Sequence, residues 1–154
     1  MINNNDNKDM VIWGDKYAIG IQLIDDQHKE LFALTNELFR ACLGGEKMQD
    51  SIFKETMGRM VEYVRFHFGA EQELLQRIKY PDYPEHKKQH DTLVRNILET
   101  VKEYNEGKKL VPNQFARILR DWILSHIAIY DKLYAAYIVT QKKKGLLSDK
   151  DING

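Results

Sequence analysis

Five histidines and two carboxylates, spaced to fall on the inward stripes of four helical segments, restrict this chain more than any other feature. The pattern reads His28, then His67-x-x-x-Glu71, His86-x-x-x-His90 and His126-x-x-x-x-Asp131, and no histidine is left over. Residues four apart on a helix share a face, and imidazole is the commonest side-chain ligand of transition metals. The stripes that carry these groups also carry the apolar residues, so a fold that builds a core must bury all seven together.

The apolar periodicity predicts the helices. The first is expected from Asp25, as its N-cap, to about Leu43, where Gly44-Gly45 stops it. Its inward stripe is His28, Leu31, Phe32, Thr35, Leu38, Phe39 and Cys42. The second runs from Asp50 to Lys79, with Phe53, Met57, Met60, Val64, His67, Glu71, Leu74, Leu75 and Ile78 recurring every three or four residues. Tyr80-Pro-Asp-Tyr-Pro makes a tight connection, Pro84 suits the first turn of the third helix, and Gly107 ends that helix. Pro112 opens the fourth, which reaches at least Ile138. Four helices of roughly 20 to 30 residues, about 30–45 Å each, predict an all-α chain folded as an antiparallel up-down-up-down four-helix bundle. Residues 11–140 form that domain, with an irregular N-terminal arm over 11–24 that carries Trp13. Residues 1–10 read as a disordered extension and 141–154 as a flexible Lys-rich tail.

Composition narrows the setting. Lys plus Arg (23) equals Asp plus Glu (23), so no net field draws the chain to nucleic acid or a membrane. No apolar run is long enough to span a bilayer, and the polar start shows no secretory h-region. The lone Cys42 excludes an intrachain disulfide and sits on an apolar stripe as a small core residue. A cytoplasmic protein is the expectation.

Five imidazoles and two carboxylates in one core each need a partner, because an unpaired buried charge is very unfavourable. Metal cations supply the counter-charge. Seven donors are too many for one tetrahedral zinc, and imidazole is the wrong donor for calcium or magnesium. The mixture suits non-haem iron. Two octahedral irons offer twelve coordination positions. Five histidines, two bridging carboxylates and one bridging oxide or hydroxide take eleven, which leaves one vacancy, on one iron, for a small diatomic ligand. His126 and Asp131 are five apart, about 140° around a regular helix, so a π-type irregularity is expected between them.

At these residues the chain resembles the hemerythrin-domain family, specifically its single-domain bacteriohemerythrins. The similarity spans about residues 11–140. It includes Gly20-Ile21, Ile24-Asp25-x-Gln27-His28, His67-x-x-x-Glu71, Tyr80-Pro81 before His86-x-x-x-His90, and Trp122-x-x-x-His126-x-x-x-x-Asp131. The resemblance implies that His86, His90 and His126 hold a saturated iron. His28 and His67 would hold the iron with the vacancy, and Glu71 and Asp131 would bridge the two. It further implies reversible dioxygen binding, with no enzymatic activity. Ile123, Trp122, Leu31 and Phe32 are the expected walls of the oxygen pocket, with Ile123 nearest the ligand. A sensor of oxygen, nitric oxide or redox state acting through a partner protein is the chief alternative. A peroxidase or oxidase ranks below both, since the inward stripes hold no spare acid or histidine as proton donor.

Overall fold

The computed structural model describes residues 9–43, 50–108 and 112–154. Helices α1 (Gln22–Cys42), α2 (Asp50–Arg77), α3 (Tyr83–Asn105) and α4 (Pro112–Ser125) form the bundle. A π-helical segment, His126–Asp131, continues α4 directly into α5 (Lys132–Lys143), and a short α6 (Asp149–Asn153) ends the chain. Helix α1 packs on α2 and α4, and α2 packs on α3. The described residues are all-α, as the periodicity predicts. The expected stop at Gly44-Gly45 and most of the 1–10 extension lie outside the described residues. Of that extension, Asp9 pairs with Arg40 at 3.0 Å and Met10 packs on the core.

The start of α1 corrects the sequence reading. The helix begins at Gln22 with Ile21 as its N-cap, one turn before Asp25. The Asp25 carboxylate does not cap forwards. It reaches back to accept from the amides of Ile19 (2.8 Å) and Gly20 (3.1 Å). Gly20, at φ 86°, supplies the left-handed turn that lets the arm arrive there. The arm itself is tied down: Asn36 on α1 exchanges two hydrogen bonds with the backbone of Val11, at 3.0 and 2.9 Å. Lys132 donates to the carbonyl of Ala18 at 2.6 Å.

Helix α2 ends at Arg77 rather than Lys79, for a local reason. Lys79 adopts φ 54°, Tyr80 donates its amide to Leu75 O and Lys79 donates to Gln76 O, which together make a Schellman ending. Tyr80 then packs against the Leu74–Leu75 side of the core.

The C-terminal region also departs from expectation. Residues 141–154, expected as a flexible tail, carry the end of α5 and all of α6. Helix α5 closes with Gly145 in the left-handed region, and Ser148 and Asp151 form a reciprocal capping box that starts α6. Ile152 is buried beside Ile21, Leu75 and Ile138. Arg77 donates to the carbonyls of Asp151 (2.7 Å) and Ile152 (2.8 Å), so α2 holds the last turn by its orphan acceptors.

The apolar interior is divided. One cluster gathers Leu31, Leu38, Met60, Leu93, Leu119, Ile123 and their neighbours, and the other gathers Ile24, Leu75, Tyr134 and Ile138. The five histidines and two carboxylates lie in the chain between these clusters on α1, α2, α3 and the α4–α5 continuation. They form a polar belt across an otherwise apolar bundle. Arg77→Ala should release α6 and lower stability by about 1–2 kcal/mol, the worth of two lost hydrogen bonds. Hydrogen exchange is the check: amides of residues 149–153 that stay protected in the variant would refute the clasp.

Candidate metal centre

All seven belt residues are at most 3% exposed: His28, Glu71 and Asp131 at 0%, His67 and His90 at 1%, His86 and His126 at 3%. Each helix contributes by its own register. His28 lies one turn after Ile24 on α1, and His67 and Glu71 lie one turn apart on α2, as His86 and His90 do on the first two turns of α3. The last pair comes from the π-helical segment, whose i→i+5 bonding brings residues five apart onto one face. The irregularity expected between His126 and Asp131 is there, at those two residues.

The donor atoms fall into two groups that share Glu71. One is Glu71, His86, His90 and His126, and the other is His28, His67, Glu71 and Asp131; within each group the atoms lie within 4.8 Å of one another. Glu71 Oε2 faces the Nε2 atoms of His90 (3.0 Å), His86 (3.3 Å) and His67 (3.9 Å). Asp131 faces both groups, with Oδ2 3.1 Å from His28 and Oδ1 3.1 Å from His126 and 3.3 Å from His86. Both carboxylates therefore stand between the histidine pair and the histidine trio.

Three glutamines hold the outer edges of the rings: Gln27, quoted from the sequence only as part of the motif before His28, and Gln72 and Gln89, which sequence reasoning did not single out. Gln27 Oε1 accepts from His67 Nδ1 at 2.8 Å, and Gln89 Oε1 accepts from His126 Nδ1 at 3.1 Å. Gln72 meets His90 Nδ1 at 3.2 Å through its amide nitrogen, and a half-turn of the amide makes it the same kind of acceptor. An accepted proton on Nδ1 leaves Nε2 as a bare lone pair. The lone pair of His126 Nε2 then points at a carboxylate oxygen 3.1 Å away and at His90 Nε2 3.0 Å away. These are acceptors facing acceptors. His28 is more exposed to the same conflict: although it stands 3.1 Å from Asp131, the geometry is not that of a hydrogen bond. Both its ring nitrogens and both Asp131 oxygens are buried without a hydrogen-bond partner. A cation among these atoms removes the conflict, so the donor set fits metal.

Titration behaviour agrees with this. Burial and the charge of Asp131 work against ionisation of Glu71, but the imidazoles of His86 and His90 outweigh them and hold it below the usual carboxylate range. Burial likewise opposes the charge of Asp131, and His126, His28 and His86 hold it well below its ordinary value. Burial also opposes protonation of His86, yet the two carboxylates facing it push its pKa up to about 9. His28 is raised in the same way by Asp131. His67 goes the other way: burial brings it down to about 4. Without metal, a proton held on His86 at neutral pH offsets part of the charge of the two carboxylates.

Tyr134 and Phe68 also escaped the sequence reading. The buried Tyr134 hydroxyl donates to Glu71 Oε1 at 2.5 Å and fixes that carboxylate. Phe68 stacks on His90 with ring centres 3.6 Å apart and planes 1° from parallel. Both stand next to a named residue in space, but only the assembled bundle shows which way they point. The four pocket candidates divide. Leu31, Phe32 and Ile123 are buried in the cluster above the belt. Phe32 meets Trp13 edge-on at 5.3 Å, and Trp13 lies 6.5 Å from His28. Trp122, half-buried, stacks instead on His126 at 4.6 Å and 9°, on the side of the histidine trio.

A helical bundle crossed by a buried belt of five imidazoles and two shared carboxylates defines a class of protein with a candidate two-metal centre in its core. The family model for the hemerythrin HHE cation binding domain matches residues 19–138, and the chain belongs to the hemerythrin family. It is 30% identical to a bacteriohemerythrin of Methylococcus capsulatus over 119 residues, covering 77% of this chain and 88% of that one. It is also 30% identical to a bacteriohemerythrin of Pseudomonas aeruginosa over 146 residues, covering 94% and 91% of the two chains. Among solved structures, a crystal structure of wild-type hemerythrin superposes with a TM-score of 0.77 at 30% identity, covering 82% of this chain and 96% of that one. Membership puts the chain in a class of di-iron, oxygen-binding proteins.

Metal uptake must displace the proton held by His86. Adding ferrous iron anaerobically to metal-free protein at pH 7 should release about one proton per chain. Uptake should strengthen as pH rises and level off above about 9, where His86 is already neutral. An indicator-dye titration that detects no proton release would contradict the proton-balanced belt.

Proposed function

We propose that this chain binds dioxygen reversibly at two non-haem iron ions, as a carrier, store or delivery protein rather than an enzyme. The observation that carries the reading is the unequal division of five imidazoles, three and two, about two carboxylates that face both groups. His86, His90 and His126 would hold one iron, His28 and His67 the other, and Glu71 and Asp131 would bridge them together with an oxide or hydroxide. The pair, when bound, supplies the electrons that dioxygen takes up and returns on release.

The protein's own part is to restrict what else happens there. Neutral imidazoles make up most of the donor set, which disfavours the high-valent iron that full oxygen activation needs. Leu31, Phe32 and Ile123, with Trp13 beyond them, give an apolar wall that keeps water and protons from the vacant position on the His28–His67 side. Trp122 and Phe68 cover His126 and His90 by stacking, and screen the saturated side. Among the described residues Tyr134 is the one hydroxyl bonded to the belt, and it is a poor acid. Burial and the Glu71 charge raise its pKa well above 10, and its proton is committed to Glu71. That supports a binder over a peroxidase or oxidase.

A sensor is the second reading, and one observation favours it. The π-helical segment carries both His126 and Asp131 while it exposes Ile129 (55%) and Tyr130 (38%), so a change at the belt could reach the surface within one turn. No helix among the described residues is long and apolar enough to cross a membrane. With the buried, unpaired Cys42, this is in keeping with a cytoplasmic setting.

Anaerobic loading should give about two irons per chain and one dioxygen taken up per pair, recovered on purging through repeated cycles. One iron per chain, or irreversible oxidation in the first cycle, would overturn the proposal. Ile123→Gln should shorten the life of the oxygenated form several-fold by admitting a hydrogen-bonding group, with little effect on iron content. An unchanged autoxidation rate would remove Ile123 from the pocket. Comparing hydrogen exchange with and without oxygen separates the roles: a carrier stays unchanged beyond the belt, whereas a sensor alters residues 126–133.

A further inference from the structure

The outer seam between α2 and α3 holds two cavities that the belt does not use. The larger, about 560 Å³, is floored by Phe68, Gly69 and Val94 and reaches down to His90. The smaller, about 260 Å³, continues from Leu98 towards Met57, Gly58 and Tyr104. Both are mostly apolar where a seam between two surface helices would ordinarily be closed by long side chains.

Two glycines keep it open. Gly58 and Gly69 lie about three turns apart on one face of α2, one beside each cavity. A Cβ at either would meet nothing within 4 Å, so neither is there to let another backbone approach. Glycine weakens a helix interior, and close packing does not explain its use here.

The rim carries both signs with cations in excess: Arg65, Arg95 and Lys102 against Asp91 and Glu99. Arg65 from α2 and Arg95 from α3 both line the larger cavity, and among the described residues neither has a carboxylate within 4.0 Å. Of the acids in the lining, Asp91 is taken by Lys87 at 2.6 Å, which leaves Glu99 against the two arginines. Two guanidinium groups flanking an apolar trough suit one carboxylate attached to an apolar body.

We propose that this seam is a binding site for a small amphipathic carboxylate. Its anionic head lies between Arg65 and Arg95, and its apolar body lies over Phe68, Val94 and Leu98 towards the second cavity. The ligand then rests on the ring that stacks on His90, one side chain from the belt.

The test is calorimetric titration of the full-length chain with octanoate, and with octanol as the uncharged control. Octanoate should bind one per chain and octanol roughly tenfold more weakly, the worth of one charge-assisted contact. Arg95→Gln should lose about the same factor for octanoate while leaving octanol unchanged. Gly69→Leu fills the trough and should abolish both, and circular dichroism checks that each variant folds. Equal binding of the two probes, or wild-type binding by both variants, would overturn the proposal. So would sedimentation showing that the chain dimerises through this face and loses the dimer in Gly69→Leu, because a second copy would then be the occupant.

Discussion

The structure depends on the mutual compensation of charges in one buried layer. Glu71 and Asp131 are wholly buried and held ionised, which is tolerable only because five imidazole rings converge on them. Removing one partner from such a layer leaves a charge with no partner in a low-dielectric interior, a loss on the order of 3–5 kcal/mol. The layer also separates the two apolar clusters, so each helix must keep its register on both sides of it. A slip of one residue on any helix would turn its donors out of the belt and put its core residues towards water.

That requirement explains the π-helical turn. A regular helix can aim His126 at the belt, or Asp131, but residues five apart diverge by about 140°. Widening one turn lets both groups face inwards while Ile123 before it and Tyr134 after it stay in the two apolar clusters. A wider turn has poorer backbone bonding than an α-helix, and it persists here because it contributes two of the seven donors.

Much of this could be read from the chain because the donors and the core residues share one period. The four stripes, the seven belt positions and the strained His126–Asp131 spacing all follow from where apolar and ionisable residues recur. What could not be read depends on groups distant in the chain. Asp25 looks like a forward cap, and only the turn at Gly20 makes it face back. Ile152 has too few neighbours to form a stripe, and α6 is secured by Arg77, which lies on another helix. The Ser148–Asp151 capping box was written in the sequence, yet a capping box gives no sign of what the helix after it will pack against. Tyr134 reads as one more core aromatic until the bundle points its hydroxyl at Glu71.

The glutamines bear on what kind of centre this is. A metal-bound imidazole commonly gives its outer N–H to a carboxylate or carbonyl, and the stronger that acceptor, the more electron density the ring passes to the metal. Here Gln27 and Gln89 accept from His67 and His126, and Gln72 stands at His90. A neutral amide fixes the tautomer and the ring orientation without adding charge to the belt. Replacing these amides by carboxylates would increase electron donation and favour higher oxidation states, which is the direction of an oxidase. Neutral outer partners, with an inner set whose only anions are Glu71 and Asp131, are in keeping with the proposed reversible binding of a ligand.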